Sequence, residues 1–204
     1  MKPKIKIIIS VQLCWVLISC SGKLSPVEYM RWMNDKNNHL IVEQQYKNFI
    51  FSAQYKTPEY VTLIDQGTTV VPDLFRKKIQ EYKGLEYYTF RIGSFDEKSD
   101  VLKNGLNEKD NEASNTRLNY FSSTIEKDIK LTCGKDTFPC SIFLFERTYN
   151  MTSFNNFILA FNIKNNENNC DRVLVFDDHN LGAGLIKLTI LKNSIDNIPN
   201  LSLL

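Results

Sequence analysis

Residues 48–56 read Asn-Phe-Ile-Phe-Ser-Ala-Gln-Tyr-Lys. Phe49, Phe51, Ala53 and Tyr55 fall on one face of an extended chain, and Ile50, Ser52 and Gln54 fall on the other. That period-two pattern is the mark of a strand. Upstream, residues 40–46 read as its partner strand, with Lys47-Asn48 as the turn between them. Before that, Ser25-Pro26-Val27-Glu28 is a capping box with proline at the first helical position. Tyr29, Trp32 and Met33 then recur at the spacing of an apolar helix face. The helix is expected to fade over residues 34–38, where turn formers collect. His39 is left at a helix end, where a cationic imidazole suits the dipole.

Downstream, Thr57-Pro58-Glu59 starts another short helix that ends near Gly67. Pro72-Asp73 opens a further helix with Leu74, Phe75, Ile79 and Tyr82 as its apolar stripe and Gly84 past its end. Residues 85–95 are aromatic and β-favouring, hence a strand. Residues 96–116 are polar and rich in Asn, Glu and Lys, and read as a long loop or a loosely held helix, the expected flexible insertion. Residues 117–126 fit helix or strand. Residues 128–133 and 138–147, on either side of Gly134-Lys135-Asp136-Thr137, give a hairpin signal. Residues 157–163 read as a strand followed by a polar loop over 164–169, and residues 172–176 and 185–191 as a last strand pair. Residues 193–198 suggest a helical turn stopped by Pro199. There is no internal repeat and no regular βαβ alternation. The expected fold is α+β: a mainly antiparallel sheet with short N-terminal helices packed on it, and residues 25–204 forming one domain.

The chain begins with a basic head of Lys2, Lys4 and Lys6, followed by a largely apolar run over residues 7–18. This is the charge and apolar pattern of a secretory signal. The run is shorter than the roughly 20 residues of a bilayer span. Leu17-Ile18-Ser19-Cys20 resembles the lipobox of bacterial lipoproteins. The resemblance implies a signal peptide over residues 1–19, cleavage before Cys20, and lipidation of Cys20 through its thiolate. At about 0.8 kcal/mol per buried methylene, two or three acyl chains make a practically permanent anchor. An ordinary signal peptide or an uncleaved anchor with a chance cysteine, of which Cys14 is an instance, is the alternative. Residues 20–24 then form only a short tether, so the folded part is expected close to the bilayer.

Removing residues 1–19 leaves 185 residues, enough for one ordinary domain with a real core. The full chain carries a formal charge of +2, but three of its basic side chains belong to the signal. The remainder has 22 basic against 23 acidic side chains, which argues against a nucleic-acid partner. Past Cys20 there are three cysteines, Cys133, Cys140 and Cys170, so at least one thiol stays free of an internal disulfide. Cys133 and Cys140 flank the proposed turn, where they read either as a cross-strand disulfide or as unpaired thiols. A CxxC-type redox pair is excluded by the six residues between them.

Asp177-Asp178-His179 is the one cluster of chemistry-bearing side chains, with Gly182 and Gly184 nearby. Two carboxylates and an imidazole suit a metal site or a general acid/base pair. Asp, Asn and Gly equally suit a hairpin loop. With His39 and His179 as its only histidines, the chain is poorly supplied for a Cys/His zinc site, and no metal or cofactor is expected. Gly182-Ala183-Gly184 lacks the third glycine of a dinucleotide loop, and no nucleophile motif is present. Glu146-Arg147 reads as a buried ion pair or a solvent face. The aromatics Trp32, Tyr46, Phe49, Phe51, Tyr55, Tyr60, Tyr87, Tyr88 and Phe90 invite a ligand groove, but their placement favours core packing.

Several short stretches resemble a group of small lipoproteins from Bacteroidota-type bacteria: residues 24–35 (LSPVEYMRWMND), 51–56 (FSAQYK) with Glu59-Tyr60 behind it, Pro139-Cys140, residues 145–147 (FER) and Ile198-Pro199. The resemblance supports the lipobox, implies an envelope location, and carries over no catalytic residue. Ser21-Gly22-Lys23 lacks the acidic residues that mark surface export in such bacteria, which points to the periplasmic face of the outer membrane. The expectation is an envelope lipoprotein held at the membrane by its lipid, acting as a binding or assembly component with another envelope protein as partner. The alternatives are a hydrolase with a dispersed site, or a small-ligand carrier with an apolar pocket among the aromatics.

Overall fold

In the computed structural model, which describes residues 22–96, 101–103, 106, 111–148, 152–163 and 169–203, the chain is α+β. The signal peptide and Cys20 lie outside the described residues, as do most of residues 97–110 in the polar insertion. The helices are α1 (Pro26–Asn34), α2 (Pro58–Gln66), α3 (Pro72–Tyr82), α4 (Asn111–Asn119) and the short α5 (Lys192–Asp196). The strands are β1 (Ile41–Tyr46), β2 (Phe49–Lys56), β3 (Glu86–Ser94), β4 (Ile129–Cys133), β5 (Asp136–Glu146), β6 (Phe154–Phe161), β7 (Arg172–Asp178) and β8 (Gly184–Ile190). They form one sheet in the order β1-β2-β3-β6-β5-β4-β7-β8, and every ladder between them is antiparallel. The two outermost strands, β1 and β8, come back alongside each other without pairing, so the sheet curls into a near-closed barrel. Across this seam the Lys47 ammonium, in the β1–β2 turn, donates to the carbonyl of Gly182 at 3.3 Å.

The local signals explain the elements. Glu28 of α1 accepts from the Ser25 amide at 3.0 Å and the Ser25 hydroxyl at 2.6 Å, and these bonds hold its carboxyl below the usual range. Thr57 caps α2 by accepting from the Tyr60 amide at 3.1 Å. On α3 Phe75 and Ile79 are buried as expected, whereas Leu74 points to solvent. Residues 117–126, which fitted either structure, are helical: α4 runs on through a π-turn (Tyr120–Thr124) and a 3-10 turn (Ile125–Asp128), so β4 starts at Ile129 and not at Asp128. No helix among the described residues is long and apolar enough to cross a membrane.

The barrel interior is filled by its own side chains. Phe51 of β2, Phe90 of β3 and Phe176 of β7 meet with ring centroids 5.4–6.5 Å apart. Phe157 of β6 joins Phe90, and Phe121 of the π-turn stands edge-on to Phe157 at 5.3 Å. An eight-stranded barrel is just wide enough for such filling.

One end of the interior is held by an ion pair. Glu86, at the start of β3, and Arg172, at the start of β7, are separated by three strands in the sheet but meet across the barrel. The Arg172 Nη2 and Nε groups donate to the Glu86 carboxylate at 2.7–3.1 Å, and the Tyr88 hydroxyl donates to the same carboxylate at 2.9 Å. The Arg172 Nη1 group donates to the Cys170 carbonyl at 2.8 Å and lies 2.9 Å from Cys133 Sγ.

The cysteine pairing departs from expectation. Cys133 is bonded to Cys170, with 5.4 Å between their Cα atoms, and Cys140 is free. The reason is the length of the turn. Only Gly134 and Lys135 lie between the strands, because Asp136 already pairs with Cys133. Cys140 therefore sits four positions down β5 from the residue opposite Cys133, about 13 Å along the strand. That is beyond the reach of a disulfide. The bond that does form joins the end of β4 to the segment entering β7.

Two outcomes are expected in urea titrations. Glu86→Ala removes the carboxylate that faces the buried Arg172 guanidinium and should lower stability by about 3–5 kcal/mol, while Glu86→Leu with Arg172→Met recovers most of the loss. Cys133→Ser opens a loop spanning 37 residues of sequence separation. It should cost about 4 kcal/mol on the chain-entropy estimate, while Cys140→Ser changes stability little.

Candidate functional site

The cluster Asp177-Asp178-His179 lies at the end of β7 and does not converge. Its residues alternate across the strand end, so Asp178 is buried while Asp177 and His179 are exposed. The Asp178 carboxylate accepts backbone N–H groups from Asn180 at 2.9 Å, Leu181 at 2.8 Å and Ala183 at 2.6 Å. These bonds fold the loop around Gly182, whose φ of +71° suits glycine. Asp178 is thus a loop-holding residue. His179 Nε2 is 3.8 Å from Asp177 Oδ2, both in solvent. Among the described residues no three His, Cys, Asp or Glu side chains are grouped to hold a metal.

The other nominated residues are equally bland. His39 closes the 3-10 turn (Lys36–Asn38) in the left-handed region, its amide donating to the Lys36 carbonyl. Glu146 is exposed, with the Asn156 amide 3.5 Å away. Burial pushes the Cys140 thiol up to about 11, and the thiol donates to the Ile142 carbonyl at 2.9 Å, so little nucleophilic thiolate exists near neutrality. Of the nine aromatics considered for a groove, seven are buried, while Trp32 is half-buried and Tyr46 partly exposed.

The site the sequence did not reveal is on the outer wall of the barrel. Strand registers place outward side chains in rows across β2, β3, β6 and β5. Lys56, Tyr87, Ala160 and Ile142 form one row; Gln54, Thr89, Ile158 and Leu144 the next; Ser52, Arg91, Asn156 and Glu146 the third. Helices α2 and α3 stand beside this face, and between them and the sheet runs a groove of about 560 Å³. Val61 and Ile64 of α2 and Tyr82 of α3 form its wall, and Tyr87, Ile158, Ile142 and Leu144 its floor. Ile64, Ile142 and Leu144 are each 45–54% exposed, so an apolar surface is open to solvent on both sides of one cleft. The signal for it was present in β5. Residues 141–146 carry Phe143 and Phe145 inward and Ile142 and Leu144 outward, apolar on both faces of an antiparallel strand.

Charge is distributed unevenly in the groove. Of its carboxylates, Glu81 is 2.7 Å and Asp65 3.7 Å from the Lys78 ammonium of α3. The third lining carboxylate, Glu146, is exposed on the sheet face, where no ion pair joins it to Lys56 or Arg91 among the described residues. Lys56 lies half-buried with its ammonium 5.7 Å from the Tyr60 ring centre, and has no hydrogen bond or ion pair among the described residues. Burial pulls it down to about 8, the Arg91 charge adding to the shift and Glu146 opposing it. Arg91 Nε and Thr89 Oγ1, on the same face, are buried without a hydrogen-bond partner.

No protein-family profile, no curated protein and no solved structure matches this chain.

Lys56 gives a direct check on the groove's electrostatics. With its value lowered to about 8, the neutral amine is populated as pH rises through 8. Its acylation by an amine-specific ester, followed by peptide mass spectrometry, should show a midpoint there. Stability should rise over the same range as the folded chain sheds its buried charge ahead of the unfolded one.

Proposed function

We propose that this protein is a lipid-anchored component of the cell envelope, tethered through Cys20 at the outer membrane and facing the periplasm, and that it acts by binding in the outer-wall groove. The observation that carries the binding reading is the groove itself: a concave apolar surface, walled by α2 and α3, with a few polar groups at one side. The signal-like N-terminus and the lipobox support the anchor.

The tether fixes an orientation in this reading. The Leu24 amide donates to the Asn200 carbonyl at 2.8 Å, and the Leu24 carbonyl accepts from the Ser202 amide at 2.7 Å. The first described residues are thereby joined to the C-terminal segment that follows β8. From Cys20 to Leu24 the chain reaches at most about 14 Å. The end of the barrel where β2 and β8 finish then lies against the bilayer, with α1 and α2 packed on the sheet beside it. Supporting that packing, the Gln54 amide of β2 donates to the Met33 carbonyl at 3.1 Å, and the Tyr29 and Thr57 hydroxyls are hydrogen-bonded at 2.8 Å.

Two measurements test this. Metabolic labelling with an alkyne fatty acid should mark the wild type, and Cys20→Ala should lose both the label and membrane retention; a labelled, membrane-bound Cys20→Ala overturns the anchor. A photo-crosslinking residue at Ile142 should capture a partner or ligand in cells, whereas one at Leu185, which is even more exposed on β8, should not. Identical products from the two positions overturn the groove as the binding surface.

A further inference from the structure

We propose that the Cys133–Cys170 bridge is a thiol–disulfide exchange site, at which a dithiol reductant attacks Cys170 and Cys133 leaves as a thiolate held by Arg172. The proposal depends on neither the groove nor the anchor. The two sulfurs are held differently. Cys133 ends β4 inside the sheet, in register with Asp136 of β5 on one side and Arg172 of β7 on the other, and is 2% exposed. Cys170 lies outside the strands, in the bend before β7, half-buried and next to the exposed Asn169. An incoming thiolate therefore meets Cys170, and access decides which sulfur of a disulfide is attacked.

The cation stands at the other sulfur. Arg172 Nη1 donates to Cys133 Sγ at 2.9 Å, lies 3.5 Å from Cys170 Sγ, and also donates to the Cys170 carbonyl at 2.8 Å. Nε and Nη2 are turned the other way, to Glu86. The ion pair thus presents its positive end to the bridge. A neutral sulfur is a weak acceptor, so this contact contributes little while the bridge is closed. A thiolate in the same place receives a charge-assisted bond. Burial alone disfavours a thiolate, and a guanidinium in direct contact opposes that. The β4–β7 ladder holds Cys133 opposite Arg172, so the contact survives when the bridge opens.

The exchange balances in two steps. The thiolate of the dithiol bonds to Cys170 Sγ, the S–S bond breaks, and its electron pair goes to Cys133 Sγ beside Arg172. The second thiol of the reductant then attacks its own sulfur in the mixed disulfide, and its proton passes through solvent to the departing Cys170. The reductant ends as a disulfide, and the protein carries a Cys133 thiolate and a Cys170 thiol. A thiolate held in this way is a better leaving group and makes the bridge easier to reduce.

The test uses the full-length protein in detergent, with dithiothreitol as the dithiol and glutathione as a monothiol trap. After an acid quench, peptide mass spectrometry should find glutathione on Cys170 and not on Cys133. Dithiothreitol should reduce the wild type about tenfold faster than Glu86→Leu with Arg172→Met, which removes the cation together with its counter-charge. The sign is diagnostic, because an arginine that served packing alone would loosen the barrel end when lost and speed reduction. In the reduced protein the thiolate's ultraviolet absorbance, taken against Cys133→Ser, should persist at about pH 6 in the wild type and vanish in the double variant. Glu86→Gln keeps the cation and should keep that absorbance. The glutathione mapping and the wild-type absorbance stand even if the double variant does not fold. Glutathione on Cys133, no thiolate at that pH in the wild type, or equal or faster reduction of the double variant each overturn the proposal.

Discussion

The contact among Phe51, Phe90 and Phe176 sets what the rest of this molecule can do. These rings come from three strands far apart in the chain and meet at the centre of a barrel only eight strands around. With Phe157 and Phe121 packed against them, the interior is a core. A carrier holding its ligand inside the barrel would need smaller side chains there. The open space lies on the outside instead, where α2 and α3 stand off from the sheet and leave a cleft. The crowded interior and the open groove are two sides of the same four strands, β2, β3, β6 and β5.

The Glu86–Arg172 pair belongs to the same economy of space. At the barrel end the aromatic filling meets polar groups: Glu86 pairs in register with the buried Phe161. Arg172 reaches across to Glu86 and also to the disulfide sulfurs, so one guanidinium ties β3, β7 and the Cys133–Cys170 bridge together. Because its side chain is 4% exposed, the cost of burying its charge is offset by that carboxylate. The disulfide adds a covalent limit at the same place, joining β4 to the segment entering β7. It leaves Cys140 as a half-buried free thiol on β5.

Much of this fold was legible because period-two alternation is local. Phe49 to Lys56, the β4–β5 hairpin and the last strand pair are each contained in one short continuous stretch of chain, and the antiparallel sheet follows from their short connections. The disulfide was not legible, since choosing Cys170 over Cys140 depends on a two-residue turn and on β7 pairing with β4, a partner 39 residues away for Cys133 and Arg172. Asp178 misled for a related reason. Its neighbours in sequence suggested a reactive cluster, but strand alternation sends its side chain inward to three amides and leaves Asp177 and His179 outside.

The groove was hidden more deeply, because no single element contains it. Ile142 and Leu144 become a floor only when β6 is laid beside β5, and Val61 and Ile64 become a wall only when α2 is set against that face. The residues that give the site its polarity are split further, with Lys56 ending β2, Arg91 within β3 and Lys78 in α3. Yet the physical contrast is simple once the rows are assembled. Lys78 sits between Asp65 and Glu81 on the helix side, while on the sheet side the half-buried Lys56 ammonium lies over the Tyr60 ring and Glu146 stands exposed. An apolar path about 14 Å wide, three interstrand spacings, leads away from Lys56. A half-buried ammonium at one side and exposed aliphatic side chains at the other are the two costs this surface carries.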